Sequence, residues 1–109
     1  MKKVMIFIYA IVFSVAVRAQ TDTVTIKTSA LCEQCKEKIE HDLSFEKGVK
    51  SNVMNLETKE VTVVYNAQKT DPEKIRIAIT KIGYDADSLK AVTKAFDRLP
   101  ECCKAPGHH

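Results

Sequence analysis

The stretch that decides the fold runs from Thr23 to Leu43, TVTIKTSALCEQCKEKIEHDL, and changes period in its middle. Up to Thr28 the residues alternate. Val24, Ile26 and Thr28 fall on one side and Thr23, Thr25 and Lys27 on the other, which predicts a half-buried strand. From Glu33 to about Phe45 the apolar positions are Cys35, Ile39 and Leu43, one stripe at helical spacing, with Lys36, Glu37, Lys38 and Glu40 outside it. The strand therefore hands over to a helix at Cys32-Glu33-Gln34-Cys35, with Cys32 in the loop and Cys35 in the first helical turn.

Outward from that unit, Gly48 ends the helical segment and two more strand patterns follow, Val49 to Leu56 and Glu60 to Tyr65. The short polar link Glu57-Thr58-Lys59 between them predicts an antiparallel hairpin. Thr70-Asp71-Pro72-Glu73 reads as a capping box from Thr70 to Glu73, with Pro72 in the first turn. Ile75, Ala78, Ile79 and Ile82 then form a second helical stripe stopped by Gly83. Tyr84 to Ser88 supplies a short last strand. The order βαββαβ predicts an α+β, ferredoxin-like sandwich: a four-stranded antiparallel sheet with two helices on one face. Leu89, Val92, Phe96 and Leu99 read as a short C-terminal helix ended by Pro100, and Glu101 to His109 as a mobile tail.

The first residues stand apart from this pattern. Lys2 and Lys3 precede an apolar run from Val4 to Val17, and Val17-Arg18-Ala19 offers small residues three and one positions before a cut. That is the pattern of a secretory signal peptide over residues 1–19. The run is shorter than the roughly 20 residues needed to span a bilayer, so no stable membrane insertion is expected after cleavage. A periplasmic location follows. The chain of 109 residues carries 17 basic and 14 acidic side chains, but loss of Lys2, Lys3 and Arg18 balances the two signs. With no basic patch left, nucleic acid is not an expected partner.

Three readings of Cys32 and Cys35 are open: metal clamp, structural disulfide or redox couple. Exported thiols tend to pair, and Cys32, Cys35, Cys102 and Cys103 can pair in three ways. A bond within Cys32-x-x-Cys35 closes a very short loop and stabilises little. A thiol–disulfide oxidoreductase also carries such a pair at a helix start. Here, however, Glu33-Gln34 fill the interior, tryptophan is absent, and Pro72 begins a helix and does not precede a strand. The helix start lowers thiol pKa values and favours thiolate. Two thiolates select Cu(I), Zn(II) or another thiophilic ion over Mg(II) or Ca(II).

The segment Thr28 to Cys35 in this strand–helix order resembles the heavy-metal-associated domain. Gly48-Val49, Asn55-Leu56-Glu57-Thr58 and Ile82-Gly83-Tyr84 add to the resemblance, which covers about residues 22 to 88. It implies a domain over residues 20–89, with residues 90–109 as an added helix and tail. It also implies a non-enzymatic protein that captures a soft ion at Cys32 and Cys35 and transfers it by ligand exchange. The ion would be Cu(I), or alternatively Hg(II) or Zn(II). The recipient would be a metal-transporting membrane protein or another metal-binding domain, and the carrier a monomer that an ion can bridge into a dimer. Tyr84 matches an aromatic near the family's metal loop. The family usually reads Gly-Met-Thr before its first cysteine; here Ser29-Ala30-Leu31 stand there, with Leu31 a candidate to fill the methionine's space.

Four further candidates lie in the tail. Cys102, Cys103, His108 and His109 are soft ligands, and the tail can lend one sulfur to the first site, changing a two-coordinate centre suited to Cu(I) or Hg(II) into one suited to Zn(II). His41, off the apolar stripe beside Asp42, reads as a solvated surface residue, and Met54 as a core filler.

Overall fold

The computed structural model describes residues 20–104. The leader expected at residues 1–19 and the histidines His108 and His109 lie outside the described residues.

Three strands form one antiparallel sheet: β1 (Thr21–Lys27), β2 (Val49–Asn55) and β3 (Glu60–Asn66), in the order β1-β3-β2. The β2–β3 hairpin has the expected connection. Its register sets Met54 opposite Val61 and Val53 opposite Thr62, while β1 sets Ile26 opposite Val61 and Val24 opposite Val63. With side chains alternating along each strand, Ile26, Met54, Val61, Val63 and Tyr65 are buried on one face, and Val53, Thr25 and Thr62 are exposed on the other.

The buried face is covered by α1 (Glu33–Leu43) and α2 (Pro72–Ile82). Cys35, Ile39 and Leu43 of α1 and Ile75, Ala78 and Ile79 of α2 join the sheet residues in a single core. The stripes read from the sequence thus face inward. Removing the four large aliphatic ones, Ile39, Leu43, Ile75 and Ile79, from water supplies roughly 6–12 kcal/mol before entropy is counted. Glu40 fixes α1 laterally: its Oε2 accepts the Met54 backbone N–H of edge strand β2 at 2.8 Å and pairs with Lys36 at 3.0 Å.

Two expectations about the second helix and the sheet need correction. The capping residue of α2 is Asp71, one position later than the Thr70–Glu73 box. Its Oδ1 accepts the Lys74 N–H at 2.9 Å, while Thr70 is buried beneath. Pro72 does begin the helix, and Gly83 does end it, at φ 122°.

The second correction concerns the fourth strand, which does not form over Tyr84–Ser88, so the sheet has three strands and not four. Ala86 makes one bridge to Thr28, then folds back on Leu89 through reciprocal backbone bonds of 3.0 and 2.9 Å. Asp87, at φ 54°, closes this turn. Its N–H donates to the Lys27 carbonyl at 2.8 Å, and its carboxylate accepts the Lys27 N–H at 2.9 Å. A side chain therefore takes the ladder position that a fourth strand's carbonyl would occupy. The segment docks against the edge of β1 without continuing as a strand.

The C-terminal helix α3 is shorter than expected, Thr93–Asp97, with Val92 exposed before it and Leu99 buried after it. Nor is the start of the tail loose. Glu101–Cys103 forms a 3-10 turn, with Cys103 N–H donating to the Pro100 carbonyl at 2.9 Å. Among the described residues no helix is long and apolar enough to cross a membrane.

Candidate metal centre

The loop that leads to the first two cysteines is anchored at its start by two adjacent hydroxyls. Thr28 Oγ1 donates to the Lys59 carbonyl at 3.0 Å and accepts the Ala30 N–H at 3.1 Å, tying the loop to the hairpin turn. Ser29 Oγ accepts the Asp85 N–H at 2.9 Å, tying it to the segment after α2. Ala30 is fully buried in the position where the family usually carries methionine, and Leu31 is about one-third exposed. The expectation that Leu31 fills the core is therefore corrected. A leucine one residue later points from the other side of an extended backbone, and only a small side chain remains at the buried position.

Cys32 is the N-cap of α1 in extended geometry, and its carbonyl accepts the N–H groups of Cys35 (2.9 Å) and Lys36 (3.1 Å). This tight first turn brings Cys32 Sγ to 3.4 Å from Cys35 Sγ, at the positive end of the helix dipole. Cys32 is half-buried and Cys35 fully buried.

The cover over Cys35 is the tail. Val92 N–H donates to the Thr80 carbonyl at 3.0 Å, which leads the chain off α2, and Leu99 buries itself before Pro100. The 3-10 turn then carries both Cys102 and Cys103 onto the head of α1. Cys32 pairs with Cys102 and Cys35 with Cys103, with Cα separations of 6.5 and 5.9 Å. Among the described residues no cysteine is left free. Cys103 Sγ also lies 3.8 Å from Cys32 Sγ, and the sulfurs of Cys32, Cys102 and Cys103 all fall within 4.8 Å of one another.

Two side chains frame the cluster. Tyr84, fully buried, donates its hydroxyl to Cys103 Sγ at 3.3 Å. Burial, and after it the negative charge of Asp42, pushes its phenol up to about 12, so it stays a neutral donor. Gln34 Oε1 lies 2.9 Å from Cys102 Sγ. His41 stands apart on the surface with Nδ1 3.0 Å from Asp42. Sequence reading named Tyr84 but missed the anchoring of Ser29 and Thr28 and the framing by Gln34, since isolated polar residues carry no spacing signal. It also allowed the tail only one sulfur where the structure brings two.

Chemically, four sulfurs at one end of a helix can do two things. Reduced, they are soft ligands for a thiophilic ion; oxidised, they are cross-links between α1 and the tail.

Comparison with known proteins agrees with this geometry. The family model of the heavy-metal-associated domain matches residues 29–85, just over half of the chain. A copper-exporting P-type ATPase of Staphylococcus aureus (strain JH9) is 37% identical over 59 residues, covering 54% of this chain and 7% of the ATPase. This chain thus corresponds to a small fraction of that relative's length. Among solved structures, the CopZ metallochaperone is 30% identical with a TM-score of 0.57, covering 60% of this chain and 98% of its own. The mercury-bound form of MerP, the periplasmic protein of the bacterial mercury detoxification system, is 26% identical with a TM-score of 0.55, covering 62% of this chain and 94% of its own. Through residues 29–85, from the loop and helix that carry Cys32 and Cys35, across the hairpin, to Tyr84, this chain belongs to the heavy-metal-associated domain family.

Proposed function

We propose that this protein is an exported carrier that captures a soft metal ion with Cys32 and Cys35 and passes it to another metal-binding protein. The observation that carries this reading is the 3.4 Å approach of the two sulfurs at the head of α1, in a domain of this family. Two sulfurs this close can grip one ion, and a low-coordinate ion is open to attack by an incoming thiolate before a protein sulfur leaves. Cu(I) is the first cargo, in keeping with the copper-exporting and metallochaperone relatives, with Hg(II) and Zn(II) next. The recipient is a metal-transporting membrane protein or another domain of this kind, and the carrier works as a monomer. Residues 1–19 act as the export leader, which makes the location periplasmic.

Native mass spectrometry of the reduced protein from Gln20 onward, titrated with Cu(I), Hg(II) and Zn(II), tests the site. The Cys32→Ser and Cys35→Ser variants are expected to lose the ion; full affinity in either would refute the assignment. Fractionation of cells expressing the whole chain tests export, which an uncleaved cytoplasmic product would overturn.

A second reading is favoured by one observation, the cross-links of Cys32 to Cys102 and Cys35 to Cys103. On that reading the protein is a thiol–disulfide oxidoreductase. Turnover in an insulin-reduction assay that depends on both Cys32 and Cys35 would establish it, and its absence leaves the carrier.

A further inference from the structure

We propose that Cys102 and Cys103 are the third and fourth ligands of the Cys32–Cys35 site, closing a four-sulfur tetrahedral centre for a divalent thiophilic ion such as Zn(II), and that pairwise oxidation of the same sulfurs switches it off. The proposal rests on the carrier reading, because it adds ligands to the site that reading assigns.

Three observations point to it. The first is metric. Four sulfurs about 2.3 Å from a tetrahedral ion stand about 3.8 Å apart, and Cys32 Sγ lies 3.4 Å from Cys35 and 3.8 Å from Cys103. Cys32, Cys102 and Cys103 meet within 4.8 Å. Cys35 stands outside that group of three and joins it through Cys32 and its bond to Cys103, so on reduction the bonded pairs must part, and Cys35 and Cys102 draw together, to admit an ion.

The second is that the tail is delivered to this place. Leu99 is buried, and Gly83 leaves room for the chain to pass over it. The 3-10 turn sets two successive cysteines against different partners, one exposed and one buried. A single thiol would serve as a tether; two, each aimed at a different ligand of the first pair, supply a complete ligand set.

The third is electrostatic. Four thiolates on a divalent ion leave excess negative charge, which the start of α1 and the Tyr84 hydroxyl on Cys103 stabilise.

The two states exclude each other. Oxidation by a small disulfide converts each pair of protein thiols into one protein disulfide, while the oxidant is reduced to two thiols and takes up the two protons released. With Cys32 bonded to Cys102 and Cys35 to Cys103, no thiolate remains to hold an ion. Reduction by a thiol or dithiol reverses the exchange and returns all four ligands.

The probe is Cd(II), whose 113Cd chemical shift reports the number of sulfurs bound. Reduced wild-type protein is expected to show a four-sulfur shift, and the Cys102→Ser/Cys103→Ser double variant a two-sulfur one. A two-sulfur shift in wild type overturns the proposal without reference to the folding of any variant. Zn(II) affinity against a chelator is expected to fall more than about 100-fold in the double variant, since even an outer-shell partner is worth roughly 10- to 100-fold. Unchanged affinity overturns the proposal while leaving the carrier reading intact. Retention of the ion by Cys32→Ser/Cys35→Ser would instead sink the carrier reading itself.

For the oxidised state, trypsin cuts after Lys27, Lys36, Arg98 and Lys104, leaving Cys32 with Cys35 on one peptide and Cys102 with Cys103 on another. After treatment with oxidised glutathione the two peptides are expected as one cross-linked species, in protein that takes up no Cd(II). Two separate peptides, each with an internal disulfide, would refute the switch.

Discussion

Replacing Gly83 by alanine tests how the tail reaches the cysteines. Gly83 has φ 122° and ψ 11°, where an L-residue is strained by about 1–2 kcal/mol. A Cβ placed there would stand 3.0 Å from the Ala95 carbonyl oxygen, 3.0 Å from Leu99 Cδ2 and 3.2 Å from the Ala95 carbonyl carbon. Leucine can rotate its methyl away, but the α3 backbone must move bodily, and such overpacking costs about 1–3 kcal/mol. The stiffer unfolded chain returns less than about 1 kcal/mol. The net loss is about 2–4 kcal/mol, or roughly 8–30 °C in the unfolding midpoint of a domain this size. Thermal unfolding followed by circular dichroism, with a reductant present so that no cross-link holds the tail, reads the loss. Reaction of reduced Cys103 with a thiol reagent should also quicken, because the residue is only 2% exposed when α3 is seated. Lys81→Ala, on the exposed face of α2, is the control and should stay within about 0.5 kcal/mol. A Gly83→Ala protein as stable as wild type, with Cys103 no more reactive, would refute the close passage of the tail over this glycine.

Glu40→Ala should cost about 1–2 kcal/mol in urea unfolding, because it removes a charged acceptor from the Met54 N–H. Lys36→Ala removes only a solvent-screened ion pair and should cost clearly less than Glu40→Ala; equal effects would mean that Glu40 matters for charge pairing alone. Burial by itself would raise the Asp87 carboxyl, but the Arg76 guanidinium at 2.7 Å and the Lys27 amide outweigh it and hold it below its ordinary value. The stabilisation is therefore full above the unfolded pKa of about 3.9 and lost as pH falls through the lower folded value. Arg76→Ala should flatten that acid limb, and an unchanged limb would refute the assignment. Tyr84, with its phenol at about 12, should titrate later than an ordinary tyrosine in an ultraviolet pH scan. The folded state then holds a proton that the unfolded state has lost, so stability falls as pH rises from about 10; a phenol near its ordinary value would place Tyr84 outside the core.

Much of this fold is legible because its signals are periodic. Cys35, Ile39 and Leu43 had to share a helix face, and Ile26, Val61 and Val63 a sheet face, since burying one member of each set at those periods buries the rest. The fourth strand was misread because Tyr84 to Ser88 is too short for a period to establish itself. Asp87 settles the matter with two bonds to Lys27 that no local pattern announces. The α2 cap moved by one residue for a similar reason. Thr70 and Asp71 both suit the position, and burial of Thr70 leaves Asp71 free to take the Lys74 amide. Within the candidate centre, the close approach of Cys32 and Cys35 was legible from their spacing. The convergence of Cys102 and Cys103 upon them was not, because it depends on where Leu99 packs and on the space above Gly83, which are properties of the folded core.

The tail's attachment also bears on how such a protein would release an ion. Cys32 and Cys35 are carried by an eleven-residue helix whose stripe is anchored in the core, so moving either sulfur disturbs Ile39 and Leu43. Once reduced, Cys102 and Cys103 ride on a three-residue 3-10 turn held by Leu99, the backbone bonds to Pro100 and Glu101, Lys104 on the Asp97 carbonyl, and the contacts of Gln34 and Tyr84 with the two sulfurs. Such a turn opens with far less free energy than α1. A four-sulfur centre built this way would loosen from the tail side first. The ion would be left on the two rigid sulfurs in the low-coordinate form that an incoming thiolate attacks most readily. Retention and transfer would then be compatible in one site, because the sulfurs that close it would also be those the fold holds least firmly.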